Sequence, residues 1–375
     1  MKSYDVIIIG RGLTGLSTAW HLAKSGVKKI CLVAPNPTLD QCSSLNAGYA
    51  SVTLHDNISR AVHGHGPEVT RSLLDVNRTG FSGLLQFTKE HQIKHSVGCI
   101  TRMASTPQEA TEMSFAVDWL SKNGFPASLS ISSPNTIQSD GAAAASIDVT
   151  SVLRLLEKQS DAPVIADSVQ VIRRSRDGVS IKTSSGDSIH GEMIVAACHR
   201  GIKSLIPDLA PALVNHADQW MEFSILKGPL KLNRGDLTFA EYSQFWMTYS
   251  YRNTIIAGGA RYLRPWAGVE AETPSILKTA TSAVKNKIEH LFNVSLSEPT
   301  QTVAAIDLRA CDEIPIIGPM YGDSRILVAS GFMGSGLTLG FASGLALSEF
   351  IQSGKSKMIA NAFHPTRLRS LSDSD

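Results

Sequence analysis

Three glycines, Gly10, Gly12 and Gly15, stand between an apolar run and a helical pattern, and no other feature limits the fold of this chain as much. Tyr4 to Ile9 carries Val6, Ile7, Ile8 and Ile9 in succession, the pattern of a strand buried on both faces. After GRGLTG, the residues Leu16, Ala19, Trp20 and Ala23 recur at helical spacing, and Gly26 supplies a helix stop. Lys29 to Val33 reads as a second parallel strand, which completes a βαβ unit. In this order each glycine has its own task. Gly10 permits the tight turn, Gly12 lets backbone approach a pyrophosphate, and Gly15 lets helix and strand pack closely. The first helical turn, with Leu13 and Thr14, leaves N–H groups unpaired and turns the positive end of the helix dipole toward the phosphates.

Such a fingerprint also calls for an acidic residue about 20 positions further on, at the end of the second strand, to hold a ribose hydroxyl. Here the strand ends Val33-Ala34-Pro35-Asn36. Ala34 cannot make that contact, so either Asn36 substitutes for it or the ribose is held less tightly. No Lys or Arg occurs between Ile30 and Ser59, which argues against a 2′-phosphate and hence against NADP.

With 375 residues, 43% of them hydrophobic, the chain can bury a large core and is expected to form two domains. Its formal charge of +2 is spread out and gives no reason to expect nucleic acid. Cys31, Cys42, Cys99, Cys198 and Cys311 are odd in number and show no C-x-x-C spacing, so neither a disulfide framework nor a metal site is expected. The expectation is reduced thiols in a cytoplasmic protein. A first strand at Tyr4 leaves no room for a signal peptide, and no apolar run of about 18 residues is present to span a membrane. Peripheral membrane contact, an oligomer and a hetero-complex all stay open.

The loop from Thr38 to Ser51 contains Ser43, Ser44, Asn46, Ala47 and Gly48. It is either an ordinary connection or a second cradle of hydroxyls, amide and backbone N–H groups. Pro67 to Ile93 reads as a long helix. Thr106-Pro107-Gln108-Glu109 opens another with a capping box, and Gly124 closes it. A short helix is expected over Val149 to Lys158. From Pro163 the period becomes two, with short antiparallel strands at Val164 to Ala166, Val169 to Arg173, Val179 to Thr183 and Ile189, followed by a buried strand at Met193 to Ala197. The strand-rich stretch from Gln219 to Ala260 is aromatic and suits either sheet core or the wall of an apolar pocket. Thr273-Pro274 is expected to cap a helix. Ile326 to Ala329 reads as a strand, Gly331-Phe332-Met333-Gly334-Ser335-Gly336 as a glycine turn, and Leu337 to Ile351 as an apolar helix. This is either a tight turn between buried elements or a second helix N-terminus offered to a ligand.

These stretches, taken in order, resemble the D-amino acid oxidase, glycine oxidase and sarcosine oxidase family. The similar runs are GRGLTG at Gly10, Ser-Leu-Asn-Ala-Gly from Ser44 to Gly48, Ile-Val-Ala-Ala at Ile194, Ile-Ala-Gly-Gly at Ile256, Ile-Pro-Ile-Ile-Gly-Pro at Ile314 and GFMGSGLTL at Gly331. The resemblance implies an α/β fold in which a Rossmann-like FAD-binding domain with a parallel sheet is interleaved with an antiparallel-sheet substrate domain. The expected boundaries are 1–85, 142–214 and 306–375 for the first and 86–141 and 215–305 for the second. It implies FAD as the cofactor, with the residues of the three glycine-rich stretches, Ala34 or Asn36, and Val169, Ala197 and Cys198 on its side of the site. Arg309, in the run Asp307-Leu308-Arg309, holds the place of the family's carboxylate-binding arginine; the alternative is a structural arginine paired with Asp307 or Asp312.

Departures accompany the likeness. Trp246 falls near a substrate-contacting tyrosine of the glycine oxidase branch, Cys198-His199 stands where relatives carry glycine, and Phe332 matches the sarcosine oxidase branch. Cys311 is a candidate for covalent flavin attachment. The expected activity is oxidation of the C–N bond of a small amino acid or N-substituted amino acid to an imine. Arg309 would fix the carboxylate, and Trp246 with Tyr249 or Tyr251 would enclose the apolar part. His199, His216, Arg261 and Arg264 are secondary candidates. The alternatives are oxidation of a non-carboxylate amine, with Arg309 structural, or a non-catalytic FAD-binding subunit of a larger oxidase.

Overall fold

Ser3–Ile9 forms a central strand because its apolar run can be covered on both faces, and Val6 to Ile9 are all 3% exposed or less. The computed structural model describes residues 3–35, 42–125, 128–129, 135–139, 141–176 and 178–369. The chain divides into two compact units, Met1–Ser44, Val149–Asn215 and Leu308–Asp375 in one, Leu45–Asp148 and His216–Asp307 in the other.

In the first unit, Ser3–Ile9 pairs in parallel with Ile30–Ala34 on one side and Ser188–Ala196 on the other. Val164–Ala166, expected in an antiparallel meander, instead extends the parallel sheet beyond Ile30–Ala34. Ile189 and Met193 to Ala197, expected as separate strands, are joined in one strand, Ser188–Ala196, whose amino half pairs antiparallel with Gly178–Thr183 and whose carboxyl half pairs in parallel with Asp323–Ser330. Gly191, midway along it, packs closely on the central strand, where a Cβ would lie 2.9 Å from Ile7 Cγ1. Helices Leu13–Lys24 and Gly336–Ser353 pack face to face. Ser17 Oγ donates to the Phe341 carbonyl at 2.9 Å, and a Cβ on Gly344 would lie 2.3 Å from that hydroxyl.

A sheet that lies mostly in the second unit, with residues 213–215 and 308–310 of its first two strands counted in the first, runs in the order Gln301–Ala310, Leu213–Phe223, Ile255–Gly259, Phe245–Tyr249, Leu237–Ala240, Ile100–Met103, Thr136–Gln138, Ser128–Leu129. It is not wholly antiparallel, because Leu237–Ala240 and Ile100–Met103 run parallel. Helix Lys278–Phe292 covers one face, setting Ala280, Val284 and Ile288 among Phe223, Phe245 and Met247. That helix starts beyond the expected Thr273-Pro274. Its first turn is capped from a distance by Gln219, whose Oε1 accepts the Leu277 N–H at 2.7 Å. A three-stranded sheet joins Tyr49–Ser51 and His95–Gly98 to Ala144–Ile147. This pairing draws residues 45–85, expected with the first domain, into the second unit.

Candidate functional site

Ile9 stands opposite Ala196, and Ala196 opposite Val328, all in parallel register. The loops that follow these three strands therefore leave the sheet at the same carboxyl edge, where open parallel sheets bind ligands.

The first loop is shaped by close backbone approach. Gly10 has φ +116°, and a Cβ on it would lie 2.3 Å from the Ala197 carbonyl oxygen. A Cβ on Gly15 would lie 2.1 Å from the Gly10 carbonyl oxygen. Gly12 caps helix Leu13–Lys24 without a side chain, and the first turn holds no acidic residue. Ser43 Oγ accepts the Leu13 N–H at 3.0 Å, while the N–H groups of Thr14 and Gly15 lie ahead of the helix's own ladder. A bare, positive helix end beneath a turn that side chains would fill fits the pyrophosphate of a dinucleotide.

The second loop holds Ala197, whose N–H bonds the Ile9 carbonyl at 2.8 Å, and Cys198, whose thiol desolvation pushes up to about 12. His199 follows with φ +52°. Val169 lies at the start of strand Val169–Ser175 and packs against the core of this unit. The third loop is the late glycine turn. Gly331, Met333 and Gly334 all have positive φ, the Ser335 N–H bonds the Phe332 carbonyl at 2.8 Å, and Ser335 caps Gly336–Ser353 without a side-chain bond. Leu337 is buried, and no acidic residue occupies this first turn either. Beside the turn ends the strand that carries Arg309: a Cβ on Gly331 would lie 3.1 Å from the Ala310 nitrogen. Arg309 is 8% exposed. Cys311, two positions on, is exposed.

Other expected residues part company. Ala34 is buried at the end of its strand, and Asn36 lies outside the described residues. In the loop that reads either as an ordinary connection or as a second cradle, Ser43 and Ser44 fall in the first unit and Asn46, Ala47 and Gly48 in the second. Asn46 spends its side-chain oxygen on the Gly48 N–H at 2.8 Å, a local turn, and Ala47 joins the core around Trp246. Trp246 is buried, with a Gly258 Cβ position 2.6 Å from its ring. Tyr249 follows the alternation of Phe245 and Met247 and lies on the opposite sheet face from Trp246. Tyr251 sits in the turn beyond, its ring 5.5 Å below the Arg252 guanidinium. Arg264 is structural, donating to Gln219 Oε1 at 2.5 Å and to the Ser275 carbonyl at 2.8 Å. His216 forms a bridge to Val269, and Arg261 opens a short 3₁₀ turn.

One residue escaped sequence reading. Strand register aligns Trp220, Gly258, Trp246, Phe239, Arg102 and Ile137 in a single row across one face of the second unit's sheet. The signal for it was a cation at an inward position of the apolar strand Ile100–Met103.

Among the described residues no helix is long and apolar enough to cross a membrane, and no cluster of His, Cys, Asp or Glu is arranged to hold a metal.

The same order of elements occurs in solved structures. Glycine oxidase from Geobacillus kaustophilus superposes with a TM-score of 0.80 at 14% identity, over 98% of this chain and 99% of that one. L-Proline dehydrogenase from P. horikoshii gives 0.75 at 15%, over 98% of each. L-Amino acid deaminase from Proteus myxofaciens gives 0.75 at 13%, over 98% of this chain and 94% of that one. At such identities the likeness is one of fold. No curated protein sequence matches the chain. Residues 5–350 match the family model DAO, FAD dependent oxidoreductase. A match over nearly the whole length makes this chain a member of the DAO family of FAD-dependent oxidoreductases.

Proposed function

We propose that the chain oxidises the carbon–nitrogen bond of a small amino acid or N-substituted amino acid to an imine, with Arg309 holding the substrate carboxylate. The observation that carries this reading is a buried guanidinium on the strand that ends against the Gly331 turn. A guanidinium stays charged when buried and meets a carboxylate through two parallel hydrogen bonds, which fixes direction as well as distance. The bare first turn of Gly336–Ser353, free of acidic side chains, stabilises negative charge developing at that edge. The glycine cradle at Gly10, Gly12 and Gly15 would hold the cofactor's pyrophosphate. FAD, when bound, supplies the two-electron acceptor for the hydride. Arg309 contributes alignment, the larger part of such a transfer. The amine enters neutral, so its lone pair completes the double bond as the hydride leaves and no side-chain base is required.

The test is the visible spectrum of the FAD-loaded protein under anaerobic titration with amino acids, N-methyl amino acids and the corresponding decarboxylated amines. Bleaching by a carboxylated amine but not by its decarboxylated partner supports the reading. Equal bleaching by both assigns Arg309 to structure, and a flavin that no amine bleaches rejects amine oxidation.

A further inference from the structure

The second unit holds a partly open cavity of about 270 Å³ that the proposed function does not use. Its walls are mostly apolar, Ile58, Leu74, Phe81, Ala116 and Phe125 among them, and two arginines, Arg78 and Arg102, interrupt that lining. Arg102 is 7% exposed, and its guanidinium carbon lies 4.5 Å from the centre of the Phe239 ring. Its Nη1 donates to Ser243 Oγ at 2.9 Å and its Nη2 to the Leu54 carbonyl; contacts to the His55 carbonyl are long, 3.4 and 3.5 Å. Among the described residues its Nε makes no hydrogen bond and no carboxylate lies within ion-pair distance. Two carboxylates act on it only through space, and both have partners of their own. Glu109 accepts from the Ser105 and Tyr242 N–H groups, and Asp56 from the Asn57 N–H.

A buried cation whose hydrogen bonds go to neutral oxygens, with its nearest carboxylates acting only through space, is incompletely compensated. Desolvation accordingly lowers Arg102 to about 10. We propose that this cavity is a binding site for a small carboxylate with an apolar body, whose carboxylate pairs with Arg102 while its hydrocarbon part fills the space beside Ala116 and Phe125. Mostly apolar walls with a few polar groups form the usual constitution of a small-molecule site; of the two arginines here, Arg78 is paired with Asp75, which leaves Arg102 as the cation without an ion-pair partner among the described residues. The long His55 contacts and the unbonded Nε leave donor capacity for an incoming oxygen.

The same side chain also steadies a strained turn. Glu241, Tyr242 and Ser243 all have positive φ, and Arg102 bonds the last of them. Replacing Arg102 alone would therefore confuse binding with folding. The deciding experiment uses FAD-loaded protein carrying Arg309→Ala, so that the carboxylate position of the proposed function is removed first. Cyclohexanecarboxylate and its neutral isostere cyclohexanecarboxamide are titrated by calorimetry. The expected result is one carboxylate bound per chain, with the amide weaker by roughly tenfold or more. Adding Ala116→Leu, which narrows the cavity at a residue that makes none of the Arg102 hydrogen bonds, is expected to abolish binding. No binding in the Arg309→Ala protein, equal affinity for acid and amide, or unchanged binding after Ala116→Leu each overturns the proposal. Binding to the wild type that vanishes with Arg309→Ala supports the Arg309 reading and rejects this one.

Discussion

Asp312 accepts two hydrogen bonds from the guanidinium of Arg367, Nε to Oδ2 at 2.7 Å and Nη2 to Oδ1 at 3.1 Å. Arg367 also bonds the Ile314 carbonyl at 2.5 Å, so the pair pins the 3₁₀ turn Pro365–Leu368 to the loop after the Arg309 strand. Asp312 was one of two acidic residues that could have made Arg309 a structural arginine. Its fork-to-fork partner is Arg367, and a planar carboxylate engaged in this way has little left for a second guanidinium.

Arg309→Ala is expected to keep bound FAD while kcat/KM for a carboxylated amine falls roughly 30- to 150-fold, the equivalent of about 2–3 kcal/mol for a lost charge-assisted contact. Arg309→Lys retains charge without the fork and should fall between. Asp312→Asn is the control, lowering the melting temperature without changing the ratio of flavin to protein absorbance. Kinetics unaltered by Arg309→Ala would remove the carboxylate role.

Gly10→Ala should be far more damaging than Gly12→Ala. At Gly10 a methyl group would meet the fixed Ala197 carbonyl at 2.3 Å, in a φ of +116° that an L side chain rarely adopts; at Gly12 it would meet the Ser43 hydroxyl at 3.0 Å, on a side chain that can turn away. The flavin content of purified protein checks this. Gly10→Ala is expected colourless or insoluble, and Gly12→Ala partly loaded. Equal loading of the two would show that the turn tolerates movement.

His21 should make stability depend on pH. Desolvation, and then the neighbouring Lys24 charge, lower it to about 4 from an ordinary 6.5. Its Nε2 has no hydrogen-bond partner among the described residues, and its ring packs against Trp20 and Phe341. The unfolded chain binds the proton more readily, so this group leaves stability level above pH 6.5 and reduces it as pH falls from 6.5 toward 4, by no more than about 3 kcal/mol. His21→Leu should flatten that part of the melting-temperature profile relative to wild type. Parallel profiles would mean that His21 protonates in the folded protein at no cost.

Thiol reactivity should follow access and acidity. Cys311 is exposed, Cys31 is buried in the central sheet, and the Cys198 thiol is pushed up to about 12. Iodoacetamide at pH 8 is expected to label Cys311 first and to spare Cys31 and Cys198 until denaturant is added, as peptide mass spectrometry would show. Early labelling of Cys198 would contradict the desolvated setting described for it.

Local pattern accounts for what was legible. The strand from Tyr4 to Ile9, the turn at Gly10, the helix at Leu13, the Thr106 cap and the late glycine turn each depend on residues a few positions apart. Thr106 Oγ1 does accept the Glu109 N–H, at 3.1 Å. The second half of that capping box was not legible, because the Glu109 carboxylate turns to Ser105 and to Tyr242, 133 residues away. The start of helix Lys278–Phe292 was misplaced for a like reason, its cap being Gln219, which lies 58 residues earlier.

By itself, then, the sequence determined the βαβ unit, the glycine turns and the family, since periodicity and glycine placement act within one or two elements. Only the tertiary structure decided that Tyr249 and Trp246 take opposite sheet faces, that Val164–Ala166 joins the parallel sheet, that residues 45–85 belong with the second unit, and that Arg102 is buried beside Phe239. These outcomes depend on which strands pair and in which register. Pairing is chosen by the burial of whole faces across distant parts of the chain, and a one-residue shift would reverse every side chain in a strand.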